Sequence, residues 1–340
     1  MAAQVFGLDI GRSFIKVVQV KVSGQERTLI GAAGVASPVD ISKVEVPADL
    51  KKISKAISDC VKSAKISGEK CVVSIMESQA VTRLIDMPDL TDKELSAAIN
   101  FEADQYIPLP IKDVNIHYEI ISRPAASSAG KMQVLLVAAP KRVINKYTGI
   151  MQDAGFILSA METESSALSR ALTRHGEIPA LIVSMGASST EIILAKEGNV
   201  LFSRSIGSGG LALTKAIVSE FNLTQSQAEQ YKMAYGLLED KLSGKIAVVL
   251  RSVLDILISE ILKALEFSRS HITGLQISRI IICGGGSYLP GLSSYLAERT
   301  SIEVLLSEPW RDFEKSGLIL KMPGQGSFYS VATGLALHGT

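Results

Sequence analysis

Asp9-Ile10-Gly11-Arg12-Ser13-Phe14-Ile15-Lys16 gathers a carboxylate, a flexible backbone, a hydroxyl and an ammonium into one short segment. A tight turn over Gly11, Arg12 and Ser13 exposes successive backbone N–H groups to one side, and such a concave set of donors suits a phosphate chain. Lys16 would neutralise the phosphates, and Asp9 would order a Mg2+ ion through bound water. Taken alone, the same residues also make an ordinary hairpin turn.

Two more turns of related character follow. Ser184-Met185-Gly186-Ala187-Ser188-Ser189-Thr190 ends an apolar run, and Gly284-Gly285-Gly286 ends Ile280-Ile281-Ile282. Gly186, Ala187, Ser188, Ser189 and Thr190 would offer a second set of phosphate donors. Three successive glycines are costly to order, so a plain connection rarely uses them; bare backbone there would accept the flat face of an adenosine. Glu229 and Lys232 share one helix face. They would meet a ribose and a base edge together, or form an ordinary solvated ion pair. Three such turns, spread along the chain, predict a nucleotide clamped between two halves.

The elements that must position these residues repeat. Strands are predicted within 5–22, on both sides of the first turn, at 29–35 and at 71–75, with an amphipathic helix at 48–64. Strands at 181–183, 192–194 and 200–206 repeat the order around the second turn. Between them, a strand at 81–87, a helix opened by the Thr91–Glu94 capping box and running to about Tyr106, strands at 114–122 and 132–139, and a helix from Pro140 to Ala154 form a subdomain inserted at about 81–160. A helix at 162–175 returns to the first core. Helices at 211–221, 224–235 and 245–273 follow, the last with Ile246, Leu250, Leu257, Ile261, Leu262 and Leu265 in its apolar stripe. A strand at 280–282 and helices at 292–299 and 329–337 complete the chain. The first domain is thus 1–177 (core 1–80 and 161–177), and the second is 178–340 with a helical part at about 222–272.

With 47% hydrophobic and 20% charged residues among 340, the chain reads as a packed protein too long for one core. Basic and acidic side chains number 35 and 34, so no broad electrostatic footprint for nucleic acid is expected. Cys60, Cys71 and Cys283 lack metal-type spacing, and the histidines are scattered. Apolar runs are far shorter than the roughly 20 residues of a membrane span, and no secretory signal is read. The expected location is cytoplasmic, with membrane contact only through partners.

Taken in this order, the segments resemble the actin-like ATP-binding superfamily of actin, the heat-shock chaperones, sugar kinases and FtsA. Asp9, Gly11, Ser13 and Lys16 match its first phosphate motif, 184–190 the second, Glu229, Lys232 and Gly284 to Gly286 the adenosine motif, and Val331-Ala332-x-Gly334-Leu335-Ala336 the closing helix. Within it, Phe101-Glu102-Ala103-x-Gln105-Tyr106-Ile107-Pro108-Leu109-Pro110 and Ser205-Ile206-Gly207-x-Gly209-Gly210 are similar to the PilM family of type IV pilus assembly. The resemblance covers nearly the whole chain. It implies an α/β fold of duplicated actin-like (ribonuclease-H-like) domains with a small α+β insertion, and ATP with Mg2+ as ligands, Gly209 being among the nucleotide-binding residues.

It also implies a partner: the short Asn-Leu-Leu-Pro-like N-terminal cytoplasmic tail of a PilN-type membrane protein, held in a groove between the first core and the insertion. Other platform proteins and a homo-oligomer are compatible with it. The family usually places Asp where Ser184 stands, so nucleotide binding is expected with slow or absent hydrolysis. The competing readings are an FtsA-like division filament, whose members end in an amphipathic membrane helix not read here, and an actin-fold small-molecule kinase.

Overall fold

The structure, a computed structural model, describes residues 5–44, 46–124, 130–271, 275–315 and 317–340. β-Branched residues on both sides of the first turn build a hairpin of β1 (Phe6–Ile10) and β2 (Phe14–Ser23), extended by β3 (Glu26–Ala36). α1 (Pro47–Ser63) buries Ile53, Ile57 and Val61 and leaves Lys51, Lys52 and Lys55 exposed. β4 (Lys70–Ile75) then joins β1 in parallel.

Past a 3-10 turn at Glu77–Gln79 the chain leaves this sheet. β5 (Val81–Pro88), α2 (Asp92–Ala103), β6 (Val114–Ser122) and β7 (Lys131–Pro140) make a separate antiparallel sheet, in the order β5-β7-β6, with α2 packed on one face. Both reciprocal bonds of the Thr91–Glu94 capping box are present. α2 stops at Ala103, short of Tyr106, as the chain turns into the proline-bounded segment. The loop expected to link β6 and β7 lies largely outside the described residues.

The insertion ends earlier than about residue 160. α3 (Lys141–Ala154) and β8 (Ile157–Thr163) belong to the first core. Val143, Tyr147, Ile150 and Met151 are buried there, and the Ser54 and Ser58 hydroxyls of α1 donate to the Ile150 and Ala154 carbonyls at 3.1 and 2.9 Å. β8 pairs in parallel with β4 as the edge of the first sheet. An amphipathic pattern shows that a helix has an apolar face, not which partner covers it. The inserted unit is therefore 81–140. α4 (Glu164–Leu172) follows, capped by the Thr163 hydroxyl, so the expected helix at 162–175 gives its first residues to β8.

The second lobe repeats the first. β9 (Ala180–Met185), β10 (Thr190–Lys196) and β11 (Asn199–Ile206) form the meander, followed by α5 (Gly210–Phe221), α6 (Gln225–Tyr235) and α7 (Lys245–His271). β12 (Arg279–Cys283), α8 (Leu292–Thr300), β13 (Glu303–Leu306), α9 (Gly317–Lys321) and α10 (Ser330–Ala336) close the chain. The sheet orders β3-β2-β1-β4-β8 and β11-β10-β9-β12-β13 correspond strand for strand, with the same parallel and antiparallel senses. In α7, Ile246, Leu250, Leu257, Ile261 and Leu265 face the core, whereas Leu262 is exposed; Thr273 lies outside the described residues.

The lobes exchange helices. α10, last in the chain, packs on β1, while α4 leans on β10 and β11, and the two cross between the sheets. The insertion also touches both lobes: β5 packs beside β11, and Leu84, Leu135 and Val137 share a core with Ile193 and Val200.

Candidate nucleotide cleft between the lobes

A cavity of about 950 Å³ opens between the two sheets, at the upper end of the roughly 300–1,000 Å³ of small-molecule sites. All three glycine-bearing turns line it, as do Asp9, Lys16, Glu229 and Lys232. Of the residues expected to hold phosphate or adenosine, only Thr190 and Gly209 are not on its wall. The Thr190 hydroxyl donates to the Ser208 carbonyl at 2.7 Å. A Cβ on Gly209 would stand 2.6 Å from the Gly186 carbonyl oxygen. Both brace the second turn from behind, together with the α5 amides of Gly210 and Leu211, which donate to the Gly186 and Ala187 carbonyls.

The antiparallel register sets Asp9 opposite Lys16, whose Nζ lies 2.8 Å from Asp9 Oδ2. Ser74 donates to the other Asp9 oxygen at 3.2 Å, and the Lys16 ammonium sits 4.7 Å from the Phe328 ring centroid. The first two turns close identically: the Gly11 N–H donates to the Phe14 carbonyl and the Gly186 N–H to the Ser189 carbonyl, each at 2.9 Å. These two glycine amides are thereby spent within the turns and are not donors toward the cavity.

Lys232 is no solvated surface charge. Its ammonium donates to the Gly210 carbonyl, the Thr214 hydroxyl and Glu229 Oε2 at 3.1, 3.0 and 2.8 Å, using its three protons. Glu229 is 47% exposed against 8% for Lys232. The lysine thus ties α6 to the start of α5, and Glu229 is the more exposed member of the pair.

Three carboxylates escaped the sequence reading. Glu164, in the first turn of α4, lines the cavity; burial, then the charges of Asp9, Glu191 and Glu77, raise its carboxyl well above the usual range. Glu191, on β10, also lines the cavity and is pushed up to about 7 by burial and Glu77, with the Ser205 and Ser189 hydroxyls and Arg12 pulling back. Glu77 receives hydrogen bonds from Ser165 on α4 at 2.8 Å and from Ser203 on β11 at 2.7 Å, joining the lobes. For Glu191 the available signal was a lone acid directly before the apolar run Ile192-Ile193-Leu194-Ala195. Cys283 lies on the cavity wall with its thiol raised to about 12 by burial, which favours the neutral thiol over a thiolate. Among the described residues no cluster of three or more His, Cys, Asp or Glu could hold a metal ion by itself.

The family model of type IV pilus assembly protein PilM matches residues 7–340. The chain belongs to the PilM family. A solved PilM-PilN type IV pilus biogenesis complex superposes with a TM-score of 0.82 at 25% identity, covering 100% of this chain and 99% of that one. MreB 5 of Spiroplasma citri bound to AMPPNP shares the fold at a TM-score of 0.55 and 14% identity, covering 100% and 96%. The cell division protein FtsA of Streptococcus pneumoniae serotype 2 is 22% identical over 343 residues, spanning 89% of this chain and 75% of FtsA. This is therefore a pilus-assembly member of the actin-like fold. Among its described residues no helix is long and apolar enough to cross a membrane.

Proposed function

We propose that this PilM-family chain binds ATP with Mg2+ between its lobes and grips the N-terminal tail of a PilN-type membrane protein, acting as an adaptor on the cytoplasmic face of a type IV pilus assembly platform. The observation that carries the nucleotide part is the single cavity that two corresponding hairpin turns and a triple-glycine turn enclose. Lys16 neutralises phosphate charge from β2. Asp9, held by Lys16 and Ser74, is the acidic group placed to order water around a cation. Its oxygen chemistry fits Mg2+, which when bound would offset the remaining phosphate charge. Glu229 reaches for the ribose, and Gly285 leaves room for the base, since a Cβ there would meet nothing within 4 Å.

Ser184 brings no charge, and burial favours protonated Glu164, a form without the free carboxylate a base needs. Both support slow turnover and a binding role. The tail would lie against the revised insertion, 81–140, where that unit meets the first core. Calorimetric titration of ATP with Mg2+ tests the cleft: the chain should bind, and Lys16→Met should lose at least about tenfold in affinity. A synthetic PilN-type tail peptide tests the groove, measured on empty, ADP-loaded and ATP-loaded protein. No ATP binding by the wild-type chain sinks the nucleotide reading; tail affinity equal in all three states removes any coupling.

A further inference from the structure

In the β9–β10 pair, Ser184 and Glu191 are direct cross-strand partners. Opposite residues of an antiparallel pair project to the same face, and both line the cleft. Glu191 is only 3% exposed. The Ser205 hydroxyl anchors its Oε1 at 2.9 Å and the Ser189 hydroxyl also favours the ionised carboxyl, whereas Oε2 makes no well-formed hydrogen bond among the described residues. A buried acceptor left unmet is costly, so one oxygen tied down and the other unanswered is the form of a side chain built to receive something.

The surrounding charge indicates what it receives. Glu77 and Arg12 act on Glu191, and Glu164, on the same cavity wall, feels Asp9, Glu191 and Glu77 against Lys16. Such a wall repels bare phosphate and favours a cation carried with it. Mg2+ keeps several waters and typically takes one or two carboxylates besides the phosphates of its nucleotide. We infer that Glu191 supplies, from the neighbouring strand, the carboxylate that Ser184 lacks, forming with Asp9 the pair of acidic groups that receives the divalent cation of a bound nucleoside triphosphate.

This assignment rests on the cleft reading above, and the test separates the two. Mn2+ serves as the probe, its binding followed by electron paramagnetic resonance in the presence of AMPPNP, with AMPPNP affinity also measured in EDTA. Glu191→Gln should weaken Mn2+ binding by at least about tenfold, the scale of losing a group that orients a metal. Metal-free AMPPNP affinity should stay level or rise, because a negative charge has left. Ser184→Asp in the Glu191→Gln background should restore Mn2+ binding by returning a carboxylate to the same face; this rescue also shows that the protein is folded. Unchanged Mn2+ affinity in Glu191→Gln, or no rescue by Ser184→Asp, overturns the assignment while leaving nucleotide binding intact. A wild-type chain that binds no AMPPNP with or without Mn2+ overturns both.

Discussion

Gly334 and Ala167 meet backbone to backbone where α10 crosses α4: a Cβ on Gly334 would stand 1.9 Å from the Ala167 carbonyl oxygen. The neighbouring Arg170 guanidinium donates to the Gly334 carbonyl at 2.8 Å, fastening the crossing from one side. Gly334→Ala forces the helices apart against backbone, which cannot swing aside as a side chain does. The expected loss is at or above the 1–3 kcal/mol typical of overpacking, about 3 kcal/mol. Urea denaturation checks it, and a midpoint equal to wild type would show that the helices separate freely.

Gly284 and Gly285 are adjacent yet should respond oppositely. Gly284 has φ near +81°, and its Cβ would lie 2.7 Å from the Met185 carbonyl oxygen. Gly284→Ala should therefore destabilise the fold by more than about 1 kcal/mol. Gly285→Val should leave the melting temperature close to wild type, because its Cβ enters open cavity, while ATP affinity drops. Paired melting curves and ATP titrations decide this.

Glu162 links β8 to α4 and to the residues just past α10. Its oxygens receive the Arg170 guanidinium at 2.8 and 2.6 Å, and His338 Nδ1 lies 3.3 Å away. Burial pushes its carboxyl up, but the His338 hydrogen bond and Arg170 outweigh it and hold the group below its ordinary value of 4.5. The folded state then favours the ionised form, so this contribution is full above 4.5 and is lost as pH falls through the lower folded value. Glu162→Gln should cost about 1–3 kcal/mol at pH 7. The gap to wild type should narrow as pH falls below 4.5 through the lower folded value, in denaturation series run across that range.

The three thiols should be silent in the native protein. Burial raises Cys60 to about 11, and Cys71 and Cys283 to about 12. An aromatic disulfide reagent at pH 8 should label none of them until guanidinium is added, and then all three. Prompt labelling of Cys283 in native buffer would reveal that the cleft wall opens.

Much of this was legible because it is written locally. The Thr91–Glu94 box, the Asp9–Lys16 hairpin and the triple glycine all depend on neighbours in sequence, and each lies where its pattern placed it. What was missed depends on distant packing. β13 is four residues long with Leu305 and Leu306 exposed, and β8 carries an exposed Ile157, so neither shows the pattern of a buried strand. The partner of α3 is fixed by hydroxyls on α1, nearly a hundred positions away (|i−j| = 96). Glu77, Glu164 and Glu191 are interior only because two lobes close over them; an acid in a linear sequence reads as a solvent-facing residue. Thr190 closes the second turn and Gly209 packs against that turn from the start of α5, both away from the cavity wall, a distinction that motif spacing does not carry.

The contact of β5 with β11 gives the insertion two landlords. Rooted in the first lobe by its chain and resting on the second by its edge, it bridges the two. A displacement of one half against the other would have to shear that shared apolar seam or carry the small sheet along with it.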